Sequence, residues 1–398
     1  MVCGTGLHRE KGLHQEKGLH QVTNQTAENS LPLKTLFRSK SWSLACLLGC
    51  LVSMAWEGFG PGTLLAAQPN RRALPLGQSA ATADDSSQPD RPLQRVRVSQ
   101  FHMGMMVDLT LWAPTRESGR LAAAAAFRRV RALNQIFSDY EPGSELSRLC
   151  RQAGRGPVAV SAELFTLLTS ARQLAEWTGG RYDPTIGPLA RRWRIARRTG
   201  KEPTGLADAR RLVGYQKMRL DASKQTVELT EAGMLLDLGS IAKGYAGDEA
   251  LGVLAEQGIH RAAFEAGGDK VLGNPPPGAS GWLVDIGQPG AEPLRLANCA
   301  VSVSGDTVQY FQRHGRRISH VIDPRTGQGL SSRRMCVALG PRGALTDPLA
   351  TIGTLMPRKA YESLLRQHFP QVRSLVFPAP DQNDLPPARI PPPETRRR

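Results

Sequence analysis

No apolar run in the 398-residue chain reaches the 20 or so residues a helix needs to cross a bilayer, which excludes a polytopic membrane protein. The six cysteines, Cys3, Cys46, Cys50, Cys150, Cys299 and Cys336, include no CxxC pair and no Cys/His metal spacing, which argues against a disulfide framework or a zinc site. Cys150, Cys299 and Cys336 sit among apolar or small residues and read as small core hydrophobes. No GxGxxG opens a helix after a strand and no P-loop occurs, so any nucleotide is held by other means. Acidic residues are in deficit: 35 Asp and Glu against 51 Lys and Arg leave a net charge of +16, which suits anionic partners. The basic runs, such as Arg191, Arg192, Arg194, Arg197 and Arg198, are short and come with no nucleic-acid-binding motif. They read as a solvated basic face, with no nucleic acid as partner.

What is present is a globular composition: 40% apolar residues plus 40 glycines make about half the chain. The flanks differ from the middle. Residues 7–21 carry a six-residue repeat, with His8, His14 and His20 in register, that matches neither a helical nor a strand period. Lys34, Arg38 and Lys40 then precede the apolar stretch Leu44 to Trp56, which is too short to span a bilayer and suits the apolar part of an export signal. Leu47-Leu48-Gly49-Cys50 resembles a bacterial lipobox that would lipidate Cys50; Ser53-Met54-Ala55 offers an ordinary signal-peptidase cut, and an uncleaved anchor is the third reading. The expected domain organisation is an N-terminal extension and export signal over 1–59, a flexible Pro/Ala/Gln/Ser-rich linker over 60–95, a folded domain over 96–377, and a Pro/Arg-rich tail over 378–398. The expected location is the periplasmic face of the inner membrane, held by a lipid anchor or the signal segment.

Within the folded region, Phe127, Val130, Leu133, Ile136 and Phe137 at helical spacing predict a helix over Leu121 to Phe137. Ser161 caps a second helix, with Leu164, Leu167, Leu168, Ala171 and Leu174 inward and Gly179-Gly180 as its stop. A third runs from Lys243 to Gln257. Strand character appears at Val96–Val98, Thr226–Leu229, Leu235–Leu238, Trp282–Ile286, Ala300–Val303, Ile318–Ile322 and Met335–Leu339. The regular alternation of a doubly wound sheet is missing, so the fold class is α+β, with mixed, mainly antiparallel sheets and packed helices.

Small-residue turns bearing one carboxylate recur at Asp183, Asp237, Asp269, Asp306, Asp323 and Asp347. Singly each is an ordinary turn. Together they suggest backbone amides and oxygen ligands converging on a phosphate-bearing ligand and a hard cation such as Mg²⁺. Lys243 beside Gly244 adds a point charge suited to phosphate.

Seven blocks carry a more specific likeness: FSDYEPGSELS at Phe137–Ser147, YDPTIGPL at Tyr182–Leu189, LDLGSIAKGY at Leu236–Tyr245, EAGGD at Glu265–Asp269, SGD at Ser304–Asp306, HVIDPRTG at His320–Gly327 and DPLAT at Asp347–Thr351. In this order they resemble the ApbE family of FAD:protein FMN transferases, over about 103 to 356. The resemblance implies a single catalytic domain that takes FAD as substrate, uses Mg²⁺, and moves FMN onto a Thr or Ser hydroxyl of an acceptor protein with release of AMP. It implies Asp347, Thr351 and the Ser240 carbonyl as metal ligands, and Met103, Tyr140, Ser144, Asp183, Lys243, Asp269, Asp306, His320 and Ile322 at the flavin nucleotide. Asp347, His320 and Lys243 become the candidate catalytic groups, with the choice of base between His320 and Asp347 open. The implied partner is a flavoprotein subunit of a membrane electron-transport complex. Alternatives on the same residues are a metal-dependent FAD pyrophosphatase and a non-catalytic flavin-binding lipoprotein. Two residues depart from the family pattern: Glu265 where Asn is expected, and Pro348 where Ala is expected. Pro348 is expected at the first helical position with Asp347 near the N-cap.

Overall fold

The computed structural model describes residues 92–288, 290–305, 310–313, 316–331 and 334–378. The repeat, the segment read as an export signal with Cys50 and its lipobox-like residues, most of the expected linker, the tail beyond 378 and Asp306 lie outside the described residues. The elements begin with β1 (Gln94–His102) and β2 (Met105–Ala113), a hairpin paired from Gln94↔Ala113 to His102↔Met105. Val107, Leu109, Leu111 and Ala113 alternate inward on β2, the period-2 pattern of a half-buried strand. Thr115 then caps α1 (Arg116–Phe137) through a reciprocal capping box with Ser118, which is why this helix starts five residues before its predicted Leu121. Phe127, Val130, Leu133 and Phe137 form its buried stripe.

Next come α2 (Glu145–Arg151), β3 (Val158–Ala159) and α3 (Ala162–Trp177), the last capped by Ser161. After Asp183, α4 (Gly187–Thr199) and α5 (Leu206–Arg211) lead to β4 (Met218–Asp221) and β5 (Thr226–Leu229). The rest of the chain is α6 (Ala242–Glu256), β6 (Ala262–Ala266), β7 (Asp269–Leu272), β8 (Trp282–Val284), β9 (Leu294–Leu296), β10 (Cys299–Ser304), β11 (Tyr310–Arg313), β12 (Arg316–Ser319), β13 (Arg334–Gly340), α7 (Gly343–Leu355), α8 (Arg358–His368) and β14 (Arg373–Pro378).

A seven-stranded sheet in the order β1-β2-β6-β7-β10-β13-β14 is antiparallel throughout and organises the domain. Helices α1, α6 and α7 cover one face, where Leu109, Leu111, Phe127, Leu133, Phe264 and Leu254 are fully buried. Each such side chain contributes roughly 1.5–3 kcal/mol of transfer free energy. The β8–β9 hairpin covers the other face over Val301, Met335 and Val337. This is the expected α+β class.

Three expectations on individual elements need correction. Leu235–Leu238 is not a strand: its amides go to scattered partners, Leu236 N–H to Cys150 Sγ and Asp237 N–H to the Pro184 carbonyl, and alternate burial alone mimics a strand pattern. The run Ile318–Ile322 splits, with β12 ending at Ser319 and Ile322 in a lone bridge to Gly329. Pro348 lies inside α7 rather than at its first position, because that helix begins at Gly343.

Candidate active site

A cavity of about 560 Å³ lies where the β1–β2 and β6–β7 turns, the N-terminal half of α6 and the middle of α7 meet. Its size is that of a small-molecule site. The β1–β2 turn is a two-residue loop with Met103 at φ 53° and Gly104 at φ 77°, the left-handed pair that a tight hairpin requires. A non-glycine residue in that region is strained by about 1–2 kcal/mol, and here it sets the Met103 side chain on the cavity wall.

At the centre, Lys243 is shared by two buried carboxylates. Its Nζ lies 3.0 Å from Asp347 Oδ1 and 3.3 Å from Asp269 Oδ2, and also donates to the Gly239 carbonyl. The Asp347 and Asp269 side chains are only 4% and 6% exposed, so two acidic groups share one ammonium out of water. Burial and the neighbouring Asp269 hold Asp347 above the ordinary carboxylate range, against the pull of Lys243. Burial works against the Lys243 ammonium, but Asp269 and Asp347 together keep its pKa above the usual lysine value.

The packing of α6 on α7 places this cluster. Gly244 and Gly343 touch so closely that a Cβ on Gly244 would lie 2.0 Å from the Gly343 oxygen. At that approach each helix caps the other. Asp347 of α7 accepts the Gly244 N–H at 3.1 Å in the first turn of α6, and Asp248 of α6 accepts the Gly343 and Ala344 N–H groups at 2.7 and 3.0 Å. A buried 2.9 Å hydrogen bond between the Thr346 and Ser302 hydroxyls ties α7 to β10. Thr351, four residues beyond Asp347 on the same helix, reaches the same cavity and donates to Ser304 Oγ at 3.4 Å.

Among the described residues no three His, Cys, Asp or Glu gather in a metal-ligating group. The donors present are instead carboxylate, hydroxyl and carbonyl oxygens from Asp347, Asp269, Thr351 and the Ser240 main chain. With two buried carboxyl groups against one ammonium, this oxygen-donor set fits Mg²⁺, which takes one or two carboxylates and completes its shell with water and phosphate oxygens.

On the opposite wall, Arg194 of α4 donates to Asp139 and, at 2.6 Å, to Asp237, and its guanidinium stacks 4.3 Å from the Tyr140 ring. Burial and Asp237 raise the Asp139 pKa while Arg194 opposes the rise. Asp237 also accepts the Gly239 N–H at 2.8 Å and so orders the turn that carries Ser240. One arginine thus joins the Tyr140 segment to the Ser240 turn. Its local spacing suggested only a solvated face; its partners lie 55 and 43 positions away and leave no local trace.

Of the other predicted site residues, Met103, Tyr140, Asp183, Ser240, His320 and Ile322 line this cavity with the cluster. Tyr140 is 62% exposed and offers an aromatic surface, whereas Asp183 is buried and engaged in ordering its own turn through the Thr185 amide and hydroxyl and the Tyr215 amide. Ser144 is not on the cavity wall: it is fully buried, caps α2 through the Ser147 amide and donates to the Ser138 carbonyl, so it supports the Tyr140 loop from behind. Glu265 pairs with its cross-strand partner Lys270 at 2.8 Å, which accounts for a charge at that position.

Fold and site define an α+β domain with a nucleotide-sized cavity backed by a buried carboxylate–lysine cluster. The ApbE family model matches residues 103–376, and the chain belongs to the ApbE family. A Treponema pallidum protein named FAD:protein FMN transferase is 32% identical over 313 residues, 71% of this chain and 86% of the relative. A Vibrio cholerae protein of the same name is 28% identical over 66% of this chain and 81% of its own length. Among solved structures, the flavin transferase ApbE from Vibrio cholerae superposes with a TM-score of 0.63 at 25% identity, covering 73% of this chain and 95% of that one. The ApbE protein from Thermotoga maritima gives 0.62 at 25% identity over 72% and 97%.

Proposed function

We propose that this protein is an FAD:protein FMN transferase. The observation that carries the reading is the buried Asp269–Lys243–Asp347 cluster, set across one cavity from the exposed Tyr140 ring. It offers an oxygen-rich, charged end for a pyrophosphate and an aromatic end for a flavin, in a family whose relatives bear that name.

In the reaction, the hydroxyl oxygen of an acceptor Thr or Ser bonds to the FMN-side phosphorus of FAD. The bond from that phosphorus to the bridging oxygen breaks, AMP leaves, and the hydroxyl proton passes to a base. Lys243 supplies positive charge to the pyrophosphate oxygens, and Tyr140 stacks on the flavin ring. Asp347, Thr351 and the Ser240 carbonyl would hold Mg²⁺, with Asp269 alongside. When bound, the cation neutralises charge on the phosphates. His320, exposed on the wall of the same cavity, is the base in this reading.

The acceptor is a flavoprotein subunit of a membrane electron-transport complex, met on the periplasmic side after export through the segment around Cys50. The test is intact-protein mass spectrometry of such an acceptor domain after incubation with the enzyme, FAD and Mg²⁺. A gain of one FMN phosphoester, lost when the metal is omitted, is the expected result. AMP and free FMN with no mass gain would make the protein a pyrophosphatase instead, and intact FAD would make it a binding protein.

A further inference from the structure

A second cavity, of about 570 Å³, lies behind the Tyr140 segment and shares Asp139, Tyr140 and Arg194 with the first. Pro142, Leu235 and Ile195, the last 38% exposed, give it an accessible apolar wall over the fully buried Leu146 and Leu236. Three exposed arginines, Arg151, Arg191 and Arg198, line it as well. Arg194 is neutralised by Asp139 and Asp237, and Arg151 gives one N–H to the Pro142 carbonyl at 2.7 Å. Arg191 and Arg198 have no acidic partner among the described residues. The result is a hollow with an apolar wall and three uncompensated guanidinium groups, separated from the candidate active site by one arginine clamp.

We propose that this hollow takes an acidic segment of the acceptor protein, with two or more carboxylates around one apolar side chain, close to the hydroxyl that receives FMN. The inference rests on the transferase reading. Arginine forks bind carboxylates in bidentate fashion, and the partly exposed Leu235 and Ile195 give an apolar side chain a surface to pack on. A membrane surface would meet the arginine heads but leave that apolar surface uncovered. Placing the charge beside the site also speeds the encounter with an acidic partner and fixes its register. The basic face is then a specificity surface.

The probes are two fluorescein-labelled peptides bearing an Asp, small residues and a Thr, flanked by three glutamates and a leucine in one and by three glutamines and a leucine in the other. Binding is read by anisotropy and FMN transfer by mass, with wild type and with the double variant Arg191→Glu/Arg198→Glu. The glutamate peptide is expected to bind, and to accept FMN, roughly ten-fold better than the glutamine peptide at low salt, and the double variant to erase that difference. FAD affinity of the variant should stay at the wild-type value. Equal behaviour of the two peptides with wild type, or an undiminished preference in the double variant, overturns the proposal. Loss of binding to vesicles containing anionic lipid with the peptide preference intact would reassign the face to the membrane, and so overturn it too. If neither peptide gains FMN while the binding preference holds, the hollow stands and the transferase reading falls.

Discussion

Adding one methyl group at Gly244 isolates the contact on which the candidate site is built. The Cβ of Gly244→Ala would lie 2.0 Å from the Gly343 oxygen, 2.3 Å from its carbonyl carbon and 2.9 Å from Asp347 Cβ. The first two are main-chain atoms, so no rotamer change relieves the overlap. Ordinary contact begins at 3.4 Å, and 3.4 less 2.0 requires α6 and α7 to part by about 1.4 Å. That opening carries the Gly244 N–Asp347 bond of 3.1 Å and the Lys243–Asp347 pair of 3.0 Å out of hydrogen-bond range. Overpacking costs about 1–3 kcal/mol and the two lost bonds about 1 kcal/mol each, for a total near 4 kcal/mol. At the roughly 2 °C per kcal/mol of a large domain, the melting midpoint should fall by about 8 °C by circular dichroism. Transfer activity should fall with it, since Asp347 is displaced. Gly252→Ala is the control: it lies on the same helix, exposed, with nothing within 4 Å of a built Cβ, and should raise stability by about 0.4–1 kcal/mol. A Gly244→Ala melt within about 2 °C of wild type would refute the close-contact argument.

Asp347→Asn keeps the shape but removes one of the two charges facing Lys243, and transfer should fall by about a hundredfold or more in a single-turnover assay; unchanged transfer would sink its assigned role. Arg194→Ala leaves Asp139 and Asp237, 18% and 15% exposed, without their shared cation. FAD affinity by fluorescence titration should weaken by about ten-fold, with Arg194→Lys restoring only part, because an ammonium can neither fork between two carboxylates nor stack on Tyr140 in the same way. Burial pushes the Cys336 thiol up to about 11, so at pH 8 it should escape alkylation in the folded protein and react only after denaturation, as peptide mapping would reveal.

Helices with one apolar stripe, α1 and α3, are legible because local spacing alone shapes them. Helix α7 is legible only from Pro348 on, since ten of its thirteen residues are buried and no polar face marks a period. Its Pro348 further disguises a helix that in fact starts at Gly343. Family motifs brought out Lys243, Asp269 and Asp347, but not that one ammonium serves two carboxylates, one of them 104 positions away. Ser144 shows the opposite failure: a motif residue whose hydroxyl is fully used in capping α2. Arg191 and Arg198 were legible as solvated charge, while Arg194 three positions on from Arg191 turned inward toward partners that only the tertiary fold supplies.

Strand β1 also serves as a ruler. Its nine extended residues separate Gln94 from the Met103 turn at the cavity by about 30 Å. The point at which anything ahead of Gln94 is attached therefore lies about 30 Å from the Met103 turn, so an affinity tag or a surface linkage placed there is joined to the domain at the end of β1 remote from that turn.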